Sequence, residues 1–276
     1  MLSPATVSFK QQLIAYFDGI SLAYDSSEIH KKLAARLVAS ARLLPGQSVL
    51  DIATGTGWVA LLAGVVVGPA GRVVGVDLSE AMLAQAQSKA VGLTNITFER
   101  ADAEALDFPS ASFDRVLCGA ALAYLRDIPG ALRRWCRLVR PGGLLAFTGF
   151  AESAMVNTLV LARVAGRYGV VLPPFNAATG TAERCRKLLD QAGCIDIEIT
   201  TDDFSLRAQP SLADLQRSWE ELLLNPWTLP LRTLPPERLA LCQQDYIAAM
   251  QGLADHDGFI TNNMQAHTAT GHIAAR

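Results

Sequence analysis

Two short apolar runs constrain the fold of this chain more than any other feature. Val49-Leu50-Asp51-Ile52 and Arg72-Val73-Val74-Gly75-Val76-Asp77 carry the β-branched density of buried strands, and each places an aspartate at or beside its end. Between them lie a small-residue loop, Ala53 to Gly57, and a helical segment, Trp58 to Gly64. Strand, helix and strand in this order form a unit whose two strands pair in parallel. Ser79 reads as a helix N-cap, Glu80 suits the positive end of that helix and Gly92 stops it, so 80–91 is a helix. Ile96 to Glu99 and Phe113 to Cys118 are the next strands. Gly130 to Val139 is helical, and Pro141-Gly142-Gly143 turns the chain into a fifth strand, Leu144 to Gly149.

The flanks complete the pattern. A helix is expected from about Thr6 to Asp18 and another from about Ile29 to Arg42. Later come helices at Glu152 to Tyr168 and Ala182 to Gln191, then a strand at Asp196 to Leu206. Helical stretches follow at 211–223 and 236–253, broken at Asn225-Pro226-Trp227, and Phe259 to Thr268 reads as a last strand beside the sixth. The expected fold is α/β: a doubly wound, Rossmann-like, seven-stranded and mostly parallel sheet with helices on both faces and helical insertions.

The 276 residues are 50% apolar and 18% charged, which excludes wholesale disorder and allows a sizeable core. A formal net charge of −2 argues against nucleic acid as a partner. The apolar stretch Trp58 to Ala70 is too short and too rich in glycine and proline to span a bilayer, and the first residues show no secretory pattern. Five cysteines without a CxxC pair read as free thiols in the cytoplasm, and four histidines without HxxxH or HExxH spacing predict no metal site.

In open α/β sheets, ligands bind beyond the carboxyl ends of the strands. Here those ends carry Asp51, Asp77 and Asp102 around a loop containing Gly55 and Gly57. The glycines let a ligand approach the backbone. Asp77, twenty residues after Gly57, is placed to accept a ribose diol, and Asp102 an adenine amino group, with Leu78 and Met82 beside the base. A nicotinamide dinucleotide and S-adenosylmethionine both suit such a site. Asp51, ahead of a loop with no basic residue, repels a pyrophosphate and favours the cationic ligand.

Val49-Leu50-Asp51-Ile52-Ala53-Thr54-Gly55-Thr56-Gly57 resembles the first motif of class I S-adenosylmethionine-dependent methyltransferases, and Val74-Gly75-Val76-Asp77-Leu78-Ser79 the second. Asp102-Ala103-Glu104, Ser112-Phe113-Asp114 and Leu138-Val139-Arg140-Pro141-Gly142-Gly143 resemble the later ones. Tyr16-Phe17-Asp18 and Ala23-Tyr24-Asp25 are similar to the lid of the ubiquinone/menaquinone-biosynthesis-like (type 11) branch, whose tyrosine covers the cofactor. Ala53 stands where many members have glycine.

The resemblance implies S-adenosyl-L-methionine as cofactor, held by Tyr24, Asp51, Ala53, Gly55, Gly57, Asp77, Leu78, Met82, Asp102, Ala103 and Cys118. It implies a single methyltransferase domain over 1–276: a helical lid at 1–44, a cofactor-binding core at 45–150, and helical insertions at 151–192 and 207–257 that shape the acceptor pocket.

The residues after the fourth strand, Gly119 to Tyr124, offer no evident base, so Tyr24 and His256, paired with Asp257, are the candidates for catalysis. Trp219, Trp227, Tyr246 and Phe259 read as core or as pocket wall. The apolar late helices favour a hydrophobic small-molecule acceptor, methylated on oxygen, nitrogen or carbon. The alternatives are a methyltransferase fold that keeps the cofactor for other chemistry, such as cyclisation, and a nicotinamide-dependent oxidoreductase.

Overall fold

The structure is a computed structural model that describes residues 8–275. The start of the expected first helix, Thr6 and Val7, lies outside the described residues. Helix α1 (Phe9–Ile20) begins at Ser8, whose hydroxyl accepts the Gln11 amide while the Gln11 side chain accepts the Ser8 amide. A 3₁₀ turn (Tyr24–Ser26) leads into α2 (Ile29–Ser40).

The core then alternates: β1 (Ser48–Ile52), α3 (Trp58–Val67), β2 (Arg72–Asp77), α4 (Glu80–Lys89), β3 (Ile96–Arg100) and β4 (Phe113–Cys118). Next are α5 (Ile128–Leu138), β5 (Val139–Phe150), α6 (Val156–Arg167), α7 (Ala182–Ala192), β6 (Ile195–Asp203) and β7 (Leu206–Ala208). The remainder is α8 (Leu212–Leu224), a 3₁₀ stretch (Pro226–Thr233), α9 (Pro236–Gln251), β8 (Ile260–Asn262) and β9 (Gln265–His272).

Seven strands form one sheet in the order β3-β2-β1-β4-β5-β9-β6. All pairings from β3 to β5 are parallel, and β9 enters antiparallel between β5 and β6. Two apolar layers cover it. Leu37 of α2 and Ala60 and Ala63 of α3 pack on one side, and Leu132 and Trp135 of α5 with Leu189 of α7 pack on the other. The expected α/β fold with helices on both faces is the one observed.

Three boundaries differ from the sequence expectation. Helix α2 belongs to the sheet core, because Ala34, Leu37 and Val38 form one apolar stripe that the sheet buries. Of the expected lid at 1–44, α1 and the 3₁₀ turn are the described parts that stand outside this layer. Helix α7 also covers the sheet, through Cys185 and Leu189, so only α6 of the first insertion joins α8 and α9 in a separate helical cluster. The expected last strand is split. Its first part, β8, pairs with β7 in a two-stranded ribbon, and the chain turns at Asn263, whose side chain accepts the Gln265 amide, before β9.

Gly57 shows why the first loop needs glycine. Its φ is +89°, and a Cβ there would lie 2.8 Å from Ala86 Cβ on α4. Left-handed strain and this clash together predict that Gly57→Ala loses about 2–4 kcal/mol of stability, read as a lower unfolding midpoint in urea. An unchanged midpoint would show that α4 moves away freely.

Candidate active site

The strand order reverses between β1 and β4, and the site lies at the carboxyl ends of those strands and of β2. Asp51, at the end of β1, is fully buried. Its Oδ2 accepts the Thr54 hydroxyl at 2.5 Å and the Ala60 amide at 3.1 Å, while Oδ1 is buried without a partner among the described residues. Burial pushes its pKa up to about 7, and the nearby Asp77 adds to the rise.

Asp77 ends β2. Its oxygens accept the Gly55 and Ser79 amides, each at 2.9 Å. Burial still holds it above the usual carboxylate range, with Asp18 contributing. The chain on either side of the site is left-handed at two non-glycine residues, Ala53 (φ 53°) and Ala120 (φ 54°), which brings backbone rather than side chain to the cavity.

Two adjoining chambers meet here. The first is lined by Tyr24, Ala53, Gly55, Asp77, Leu78, Met82, Asp102 and Ala103. A narrow extension beneath Tyr24 reaches Asp51 and His30. The structure thus brings together nine of the eleven residues expected around a cofactor. The other two do not line the cavity. Gly57 serves the loop's turn and its packing on α4, and Cys118 lies in the sheet core, where burial keeps it a thiol.

Tyr24 is held in place from both sides. Its ring stacks on His30 at 4.2 Å between centroids. The next residue, Asp25, accepts hydrogen bonds from Thr56 Oγ1 (2.7 Å), Trp58 Nε1 (2.9 Å) and Lys89 Nζ (2.6 Å), which pins the turn to the glycine loop and its helices. Asp18 of α1 does the same farther along, accepting the Ser79 hydroxyl at 2.5 Å at the start of α4. Lys10 of α1 reaches Asp102 at 2.6 Å and Glu104 at 2.9 Å. Burial opposes the Lys10 charge, but these two acids outweigh it and raise its pKa. The Asp102 carboxylate is therefore shared with Lys10 and with the Glu104 amide.

The second chamber measures about 350 Å³. An edge-to-face series crosses it: Phe17 to Tyr124 (5.1 Å), Tyr124 to Phe175 (5.3 Å) and Phe175 to Trp227 (5.8 Å). Among the described residues, no lysine or arginine lines it. Beyond Phe175 and Trp227 a further cavity of about 490 Å³ runs along Leu159, Ala162 and Leu172.

Of the four late aromatics singled out in the sequence, only Trp227 lines this space. Trp219 and Tyr246 form the core of the helical cluster, and Phe259 packs under Arg207. His256 lies on an exposed turn beside Asp257, 87% accessible, and lines none of these cavities. The sequence reading assigned no role to Lys10, His30, Ala120 or Tyr124, although Ala120 and Tyr124 lie in the run after β4 that it searched for a base.

A family profile described as a methyltransferase domain matches residues 49–143. The nocamycin O-methyltransferase of Saccharothrix syringae is 27% identical over 278 residues, covering 94% of this chain and 93% of that protein. The demethylmenaquinone methyltransferase of Staphylococcus aureus is 34% identical over 142 residues, covering 49% of this chain and 59% of that protein. Among solved structures, the Haemonchus contortus phosphoethanolamine N-methyltransferase 2 in complex with S-adenosyl-L-methionine superposes with a TM-score of 0.61 at 21% identity, covering 98% of this chain and 61% of that one. Sequence match and sheet order agree: residues 49–143 form a methyltransferase domain, and the chain as a whole is similar to S-adenosylmethionine-dependent methyltransferases.

Proposed function

We propose that the chain methylates a largely apolar small molecule, free of phosphate and carboxylate groups, with an aromatic or polyketide-like ring. The observation that carries this reading is the second chamber: an aromatic wall, no cationic side chain among its described lining residues, and a boundary with the first chamber formed by Phe17, Tyr24, Ala120 and Tyr124. Its volume is in the range of drug-sized ligands. A phosphate- or carboxylate-bearing acceptor finds no counter-charge there. The cavity beyond Trp227 gives an elongated acceptor room for the part that does not react.

The first chamber fits S-adenosylmethionine. The unpartnered buried Oδ1 of Asp51 suits the cationic end of the ligand, and Asp77 keeps acceptor lone pairs for two ribose hydroxyls beside its two amide bonds. Leu78, Met82 and Ala103 give the base an apolar slot, with Asp102 at its edge. Ala53 and Gly55 offer backbone, and Tyr24 closes over the ligand.

In this arrangement α1 and the 3₁₀ turn act as the lid, and α6, α8, α9 and the 3₁₀ stretch between the last two form the cap over the acceptor. When bound, the cofactor supplies an electrophilic methyl on a positively charged sulfur. The protein's own contribution is to hold the acceptor in line in a space that excludes water, since a neutral leaving group needs no acid.

Incubation with S-adenosylmethionine carrying a labelled methyl should transfer label to hydroxylated naphthoquinones or similar ring acceptors. Label appearing only in phosphate- or carboxylate-bearing acceptors, or in RNA, removes this reading. Tight cofactor binding without transfer to any acceptor favours cyclisation or another non-transfer reaction instead. Among the described residues, no helix is long and apolar enough to cross a membrane.

A further inference from the structure

We propose that His30 is the catalytic base, taking the proton from a hydroxyl group of the acceptor, which makes the enzyme an O-methyltransferase of weakly acidic hydroxyls. This rests on the reading of the second chamber as the acceptor site.

His30 is the second residue of α2 and lines both the cofactor-side extension that holds Asp51 and the acceptor chamber. Besides it, Tyr24 and Ala120 are the lining residues common to the two spaces. Its ring is fixed by the Tyr24 stack, with an interplanar angle of 17°. Its Nδ1 is buried and has no hydrogen-bond partner among the described residues. An imidazole held rigidly at the partition, with an unused nitrogen, has the placement a base needs.

The groups facing it define its protonation. Burial lowers its pKa below the ordinary histidine value, partly offset by Asp25 and the Tyr24 main chain. The positive end of α2 acts in the same sense as burial. Asp51 faces it across the extension. Across the acceptor chamber stand Tyr16 of α1, Tyr124 after β4 and Glu221 of α8. Burial raises the pKa of Tyr16, Tyr24 and Tyr124, so these remain phenols and do not take a proton at neutral pH. Glu221 is exposed on α8.

In the proposed step the acceptor O–H bond breaks and its proton moves to the His30 ring. The oxygen's electron pair forms the new bond to the methyl carbon. The carbon–sulfur bond breaks with its pair left on sulfur, giving a neutral thioether, and the imidazolium later returns its proton to water.

Two probes test this: 1-naphthol, protonated at neutral pH, and 2-hydroxy-1,4-naphthoquinone, already ionised there. His30→Asn should lower kcat for 1-naphthol by about 10²-fold or more beyond whatever loss it causes on the ionised probe, and remove the acid limb of the 1-naphthol pH profile. A thermal shift with S-adenosylhomocysteine confirms that the variant folds, and His30→Gln repeats the test if it does not. Independently of turnover, the His30 ring resonances of the whole chain should titrate below the usual value and move when 1-naphthol is added to the S-adenosylhomocysteine complex.

Equal losses on both probes, an unchanged variant, or a ring resonance indifferent to 1-naphthol overturns the proposal. So does an acid limb that disappears in Glu221→Gln and persists in His30→Asn. Wild-type chain that moves no methyl to either probe while the His30 resonance responds to 1-naphthol overturns the function reading instead.

Discussion

Asp77→Ala is expected to weaken S-adenosylhomocysteine binding by about 10²- to 10⁴-fold while leaving the fold in place. Two hydrogen bonds from ribose hydroxyls to an ionised carboxylate are worth roughly 1.5–3 kcal/mol each. The protein loses less than the ligand does. Burial already disfavours the Asp77 charge in the folded chain, so removing it relieves that cost while it frees the Gly55 and Ser79 amides. Calorimetric titration and the ligand-induced melting shift measure the effect. Asp77→Asn, which keeps one acceptor but sets an amide donor against those backbone donors, should fall between. A full melting shift in the alanine variant would detach Asp77 from the ligand.

The second large effect is a proton coupled to binding at Asp51. Its pKa is raised to about 7 in the folded chain against an ordinary carboxylate value when unfolded. The stability from this group is fully present below about pH 4 and is lost as pH rises through 7. The ligand-free protein should therefore become less stable across that window, and Asp51→Asn should remove this part of the slope.

A ligand that sets its ammonium against Asp51 prefers the ionised form. Affinity for S-adenosylhomocysteine should rise by up to tenfold per pH unit below about 7 and level off above it, with a proton released on binding at pH 6. In Asp51→Asn the affinity should be weaker and free of this dependence. Binding enthalpies in buffers of different ionisation heat count the proton. A wild-type affinity flat from pH 5 to 8 would separate the buried carboxylate from the ligand.

The sequence made the floor of the site legible because the floor is local. Asp51 and Asp77 stand at the ends of apolar runs, and a strand end in a parallel sheet has only one place to point its loop. Gly57 was legible as a glycine but not by its role, since the neighbour that demands it, Ala86, comes from another helix.

The roof was not legible. Lys10 and His30 sit in amphipathic helices, where a polar residue reads as a solvated face. What turns them inward is the docking of those helices on the first chamber. Asp102 was found without its partner for the same reason. The packing of α2 and α7 on the sheet was not legible, because their apolar periodicity is the same whether they cover a sheet or a ligand.

The insertion of β9 between β5 and β6 also governs how the molecule assembles. From Gly143 to Phe150, β5 is buried, and along Leu144–Phe150 its outer edge is satisfied only by residues 266–272, more than a hundred positions later in the chain. A contact of that sequence separation forms late and slowly. The segment that matches the methyltransferase family, 49–143, thus includes the start of a strand whose partner it does not supply. A nascent or truncated chain that reaches only through β5 presents an apolar open edge, which invites pairing with other chains. Completion of the sheet, rather than formation of the ligand-binding loops, is the step at which folding and aggregation compete.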